Sequence, residues 1–254
     1  MKYLCLLLLL VSFGSSFPAY SISSNTIKLR QIEILSNLLE QQIKHQINPD
    51  NALEKSISAL LKSYPEQIES VLTIAIKKYP EEYKQIICGA LRAEPALTSD
   101  VIDIVLKSNI ANNEDVISFA LTEEPAYAKE IVNAAILHNP LEIENIVRVA
   151  ILTEPLMAKH VVDATMKSHP EKILDLLVVA IQALPNQVLN IVRDTLRISP
   201  DNTDVVSIAI HSSNNSNARN IISTAIKSGI SEASANEAAI AGGASHADIV
   251  KLKK

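Results

Sequence analysis

Six histidines are the first residues that could do chemistry: His45, His138, His160, His169, His211 and His246. None stands in an HExxH motif or at paired metal-ligand spacing, so they spell out no zinc or hydrolytic site. His138 and His169 fall at predicted helix C-termini one repeat apart, where a cation suits the helix dipole, and His160 lies in a first turn. Structural roles are expected for all six, and a weak zinc or pH-sensing site between neighbouring repeats is the alternative. Cys88 follows Ile87 on a core-facing arc with no histidine near it in sequence. That pattern predicts a buried, inert thiol rather than a nucleophile. The serines lack a G-x-S-x-G elbow, and Gly242-Gly243 lacks the strand and helix of a phosphate loop. Carboxylates are numerous but sit at predicted helix starts, where dipole complementarity accounts for them. The expectation is therefore no enzyme, no cofactor and no metal.

The elements that position these residues follow from the prolines. Pro65, Pro80, Pro95, Pro125, Pro140, Pro155, Pro170, Pro185 and Pro200 keep one 15-residue register. Ile110 takes the vacant mark within it, and Asn215 continues the count. Such an internal repeat outranks any local motif. Six and seven residues after each mark stands an aliphatic pair, as in Val71-Leu72, Ile86-Ile87, Ile131-Val132 and Ile146-Val147. Ten and eleven after it stand a small residue and an aliphatic, as in Ala75-Ile76, Ala135-Ile136 and Ala150-Ile151. Positions i, i+1, i+4 and i+5 share one side of a helix, so each unit is a short amphipathic helix despite its β-branched residues.

Proline suits the first helical position, where its missing N–H is not needed. Asn139 and Ser199 are candidate caps before it. Acids follow the proline and bases close many helices (Lys77, Lys107, Lys167, Arg197), as the dipole favours. Each unit is thus about 11 helical residues plus a tight turn, marginal alone and held by its neighbours. The short links predict antiparallel successive helices. Turn chemistry alternates every thirty residues: Lys77-Lys78-Tyr79 and Lys167-Ser168-His169 in one set, Ala93-Glu94 and Thr153-Glu154 in the other. The predicted fold is an all-α, right-handed α-solenoid of 15-residue units pairing into 30-residue helical hairpins, about 50 Å long. Near Val205-Val206 the pattern arrives one residue early, which predicts a locally shortened turn or a decay of the repeat toward the end of the array.

Residues 1–21 read as a signal peptide: Lys2, then an apolar run from Leu4 to Phe13 too short to span a bilayer, then small residues. Cleavage after Ser16, Ala19 or Ser21 fits that pattern, and an uncleaved membrane anchor is the alternative. Residues 22–48 predict an amphipathic capping helix (Ile32, Leu35, Leu39, Ile43), 49–229 the array, and 230–254 an Ala-rich cap from Ser231-Glu232 to Gly242-Gly243 with a basic tail. The Pro start, Ile/Val pair and Ala-Ile core over roughly 50–229 resemble short-repeat, HEAT-like α-solenoids of bacterial secreted proteins. The units are shorter than better-known HEAT units and lack their regular Asp and Arg turn residues, so the resemblance implies architecture and carries over no binding residue.

The net charge is −5, and removal of residues 1–21 takes away only Lys2, leaving 22 bases against 28 acids. That balance speaks against nucleic acid. No second apolar run reaches spanning length, so no membrane span is expected after cleavage. One predicted rim gathers Glu94, Glu123, Glu124 and Glu154 with Asp100 and Glu130, offset by Lys129 and Lys159. A solvated face is one reading of these charges; the sharper one makes the four glutamates a candidate docking strip for a basic segment of a protein partner. On the other rim, bases closing one helix are expected to pair with acids opening the next. The sequence therefore predicts an exported, periplasmic or extracellular, non-enzymatic scaffold or adaptor. An accessory or assembly factor of a surface fibre or biofilm matrix is the alternative, and a metal binder or enzyme the more remote one.

Overall fold

The computed structural model describes residues 24–249; the predicted signal peptide and the basic tail (Lys251, Lys253, Lys254) lie outside them. The described residues form fourteen α-helices and no strand. α1 is Ser24–Lys44 and α2 is Ala52–Ser63. The regular units are α3 (Ile68–Lys78), α4 (Tyr83–Ala93), α5 (Thr98–Ser108), α6 (Asn113–Glu123), α7 (Ala128–His138), α8 (Ile143–Thr153), α9 (Ala158–Ser168), α10 (Ile173–Ala183) and α11 (Val188–Ile198). Each of these nine has 11 residues. α12 (Asp204–Ser212), α13 (Ala218–Lys227) and α14 (Glu232–Ala241) complete the chain.

The prolines act slightly differently from expectation. Seven of them, at 65, 80, 95, 125, 140, 170 and 185, open a single 3-10 turn, and the α-helix starts three residues after the mark. The residue before each proline donates its N–H back into the helix just ended, as Tyr79 does to Ala75 (2.8 Å) and Asn139 to Ala135 (2.9 Å). Its carbonyl then accepts from the second residue after the proline: Glu82 to Tyr79 at 3.0 Å, Tyr127 to Glu124 at 3.0 Å, Gln187 to Leu184 at 2.9 Å. Backbone groups thus satisfy the helix ends, and capping side chains are redundant. Asn139 makes no capping bond. Ser199 accepts only from the Asn202 side chain, at 3.4 Å.

At the junction between α10 and α11, successive helices are not antiparallel. The axis turns by 113° between Pro170–Ala183 and Pro185–Ile198, because one 3-10 turn is too tight to reverse the chain. Apart from α1, which packs mainly on α2, the main neighbour of each helix is one two along. α2 packs on α4, then α6, α8, α10, α12 and α14; α1 packs on α3, then α5, α7, α9, α11 and α13. Even and odd helices form two layers, and the repeat in space is thirty residues. Among the described residues, side-chain hydrogen bonds between separate units span such distances, from 28 residues (Lys172 to Glu144) to 38 (Lys78 to Glu40).

One continuous core runs between the layers from Leu35 to Ala244. The aliphatic pairs lie in it as predicted, and so does the small residue ten after the mark: Ala75, Ala90, Ala120, Ala135, Ala150 and Ala180 are at most 1% exposed. Thr165 and Thr195 take that place in two units, also buried. Thr165 Oγ1 answers its burial by donating to the Val161 carbonyl at 2.8 Å. A third core position, three after the mark, was not recognised in the sequence; Ala128, Ile143, Ala158, Ile173 and Val188 fill it. Each buried aliphatic side chain contributes roughly 1.5–3 kcal/mol.

Where the proline rhythm fails, other turn chemistry replaces it. Around Ile110, Asn109 takes the left-handed conformation (φ 51°) and the Asn112 side chain caps α6, accepting from the Glu114 N–H at 2.9 Å. Around α12 the expected shortened turn is instead a shortened helix. Pro200 keeps the mark, but Asp201 turns left-handed (φ 63°) and α12 has nine residues, with left-handed Asn214 and Asn215 following it. At the C-terminal end Ser231 caps α14 by accepting from Ser234 at 3.1 Å, and Gly242-Gly243 ends it, as predicted. α1 departs from the expected polar cap. Leu35 and Leu39 are buried, but Ile27, Leu29, Ile32 and Ile34 are between 38% and 67% exposed.

Candidate functional site

Glu94, Glu124 and Glu154 occupy one register position, immediately before a proline, after α4, α6 and α8. Those helices stack in the even layer, so the three residues form a row stepped by about 8–10 Å per helix. Their backbone is fixed on both sides. Each N–H donates to an alanine four back (Ala90, Ala120, Ala150) and each carbonyl accepts from three ahead (Leu97, Tyr127, Met157). The residues are half-buried, and none of the three carboxylates is in an ion pair or side-chain hydrogen bond among the described residues. An unneutralised carboxylate presented on fixed backbone attracts cations and accepts N–H donors.

Glu123 does not join the row. It stands one residue earlier, in the last turn of α6, and accepts from Arg92 of α4 at 3.1 Å. The other arm of Arg92 pairs with Glu54 of α2. One guanidinium thus bridges three stacked helices, and the Glu54 carboxylate foremost raises its pKa. Cys88 lies beside this bridge, buried as expected; burial first, and the Glu123 charge second, push its thiol up to about 12. A thiol held so far from its thiolate is a poor nucleophile.

The neighbouring charges also sort differently from the expectation. Lys159 does not offset the acidic row: it donates to Asp163 at 2.8 Å and to Asp194 at 2.7 Å, in the odd layer. Two of the bases closing a helix pair within it rather than with the acid opening the next, Lys107 with Asp103 (2.7 Å) and Arg197 with Asp194 (3.2 Å), while Lys78 and Arg92 reach to helices two away. Residues three and four apart are neighbours on a helix, whereas the next acid lies beyond a turn. His169 faces Glu171 at 3.4 Å, and no group of three or more His, Cys, Asp or Glu side chains could hold a metal among the described residues. No helix among them is long and apolar enough to cross a membrane.

The Glu54–Arg92–Glu123 bridge and the Lys159–Asp194 pair were both missed in the sequence. The available signal was opposite charge separated by about one 30-residue repeat, 38 and 31 residues in the first case and 35 in the second. Compared with family models, curated proteins and solved structures, the chain matches none.

Proposed function

We propose that this chain is an exported, non-enzymatic scaffold or adaptor, a right-handed α-solenoid that binds another protein along an extended surface. Export rests on the reading of residues 1–21, and the surface on the layered stack. The observation that carries the reading is the row Glu94, Glu124 and Glu154, three carboxylates at the ends of successive even helices with no side-chain partner among the described residues. The step of about 8–10 Å matches three residues of extended peptide at about 3.3 Å each. A basic segment with Lys or Arg at every third position fits that spacing.

The test is fluorescence anisotropy with a labelled peptide carrying lysine at every third position. Glu94→Gln, Glu124→Gln and Glu154→Gln together should weaken its binding about tenfold, a loss of about 1.4 kcal/mol. Glu123→Gln should matter little, since Arg92 already occupies that carboxylate. Equal affinity for the wild type and the triple variant would overturn the reading.

A further inference from the structure

From α6 onwards the layers carry opposite charge. The odd helices α7, α9, α11 and α13 hold seven Lys and Arg against three Asp and Glu. The even helices α6, α8, α10, α12 and α14 hold one Arg against eight acids. The basic layer also contains the sharpest break in the repeat pattern. Nine residues after the mark, the eight preceding units from Ile74 to Val179 carry an apolar residue or glycine; the unit begun by Pro185 carries Asp194.

The Asp194 side chain is only 11% exposed. It accepts from Lys159 Nζ at 2.7 Å and from Arg197 Nη1 at 3.2 Å, with Arg193 Nε at 3.7 Å. Arg193 Nη2 in turn donates to Asn190 Oδ1 at 2.9 Å. A buried carboxylate is a costly substitute for an apolar side chain and is weak evidence of a stabilising role. What it does here is gather cations. Arg193 and Arg197 remain 46% and 69% exposed, so guanidinium N–H groups beyond those it engages face solvent. Crevices flank α11 on both sides. One, of about 190 Å³, opens toward α9 and includes Lys159 with its partners Asp163 and Asp194; the other, of about 610 Å³, opens toward α13 and includes Lys227. Asn190, Arg193 and Arg197 line both, and no acid lines the second.

We infer that this groove over α11 and α13 binds an acidic polypeptide segment, with a carboxylate seated between Arg193 and Arg197 and another near Lys227. Planar guanidinium groups pair with carboxylates through two parallel N–H···O bonds, and Asp194 holds both arginines ready to do so. A polypeptide fits better than a nucleic acid. No aromatic side chain lines either crevice for base stacking, and the acidic even layer repels a long polyanion. The site lies in the other layer from the glutamate row and does not depend on it.

The experiment is anisotropy with a labelled oligoglutamate of about ten residues against an oligothymidylate of equal length, using the full chain at low salt and at about 0.3 M. Oligoglutamate should bind the more tightly, and its affinity should fall about tenfold on adding salt. The double variant Arg193→Gln, Arg197→Gln should lose at least about tenfold in affinity. Lys227→Gln, whose ammonium is in no ion pair among the described residues, should lose about threefold with an unchanged melting temperature. Failure of oligoglutamate to bind, full affinity in Lys227→Gln, or tighter binding of oligothymidylate would overturn the inference.

Discussion

The junction of α2, α4 and α6 and the junction of α9 and α11 are built with the signs of charge exchanged. In the first, one cation, Arg92, lies between two acids, Glu54 and Glu123. In the second, one acid, Asp194, lies among the bases Lys159, Arg193 and Arg197. The difference is burial. Arg92 is 52% exposed and Asp194 11%. A guanidinium half in water contributes little, because water competes for its N–H groups. A sunken carboxylate depends on the groups around it, so it fixes their positions. At the first junction a different feature sets the packing: a Cβ on Gly89 would lie 2.5 Å from the Glu54 carbonyl oxygen.

This comparison orders the expected effects of substitution. Gly89→Val should cost about 3 kcal/mol, since the new side chain meets a backbone atom that cannot rotate away, and urea denaturation measures the loss. Asp194→Ala should cost about 2 kcal/mol, less than a deeply buried pair because the cations left behind are half in water. Arg92→Ala should cost no more than about 1 kcal/mol in the same assay. If Arg92→Ala proved the more damaging of the last two, burial would not be what separates the junctions.

The smallest effect at neutral pH concerns Cys88. Its thiol is raised from 9.0 to about 12 in the fold, so the folded chain holds that proton more tightly than the unfolded one. The associated stability is present below pH 9 and is lost as the pH climbs from 9 towards 12. Lys159, raised by its bonds to Asp163 and Asp194, acts in the same direction, with loss above its ordinary 10.5. Melting temperatures at pH 7 and pH 10.5 should therefore diverge more in the wild type than in Cys88→Ala. Equal alkaline losses in the two proteins would remove the thiol from the account.

How far the sequence could be read follows from what repeats. Proline, the aliphatic pair and the small residue recur in unit after unit, so the helices, the two-helix period and the core alanines were all readable from spacing. The axis change at Pro185 was not, because it depends on the backbone angles before proline rather than on a side chain. The burial of Ile143, Ile173 and Val188 was readable from the interval of three or four residues between position three and the next core pair. The exposed Ile27 and Ile34 escaped the pattern, because an amphipathic stripe does not say which helices are present to cover it. Of the four candidate glutamates, the register placed Glu94, Glu124 and Glu154 together, while Glu123 went to Arg92 through a contact 31 residues back. Single charges in one unit have no periodic signature. Asp194 stands out only once the apolar residues at its register position are aligned.

The central claim is that spatial neighbours are thirty residues apart, two units along rather than one. Zero-length carbodiimide cross-linking with peptide mass spectrometry tests it most directly, because it joins an ammonium to a carboxylate already in contact. Links between Lys78 and Glu40, Lys159 and Asp194, and Lys172 and Glu144 are predicted, 38, 35 and 28 residues apart. Links joining mainly helices consecutive in the chain, or scattered without regard to that interval, would contradict the two-layer stack.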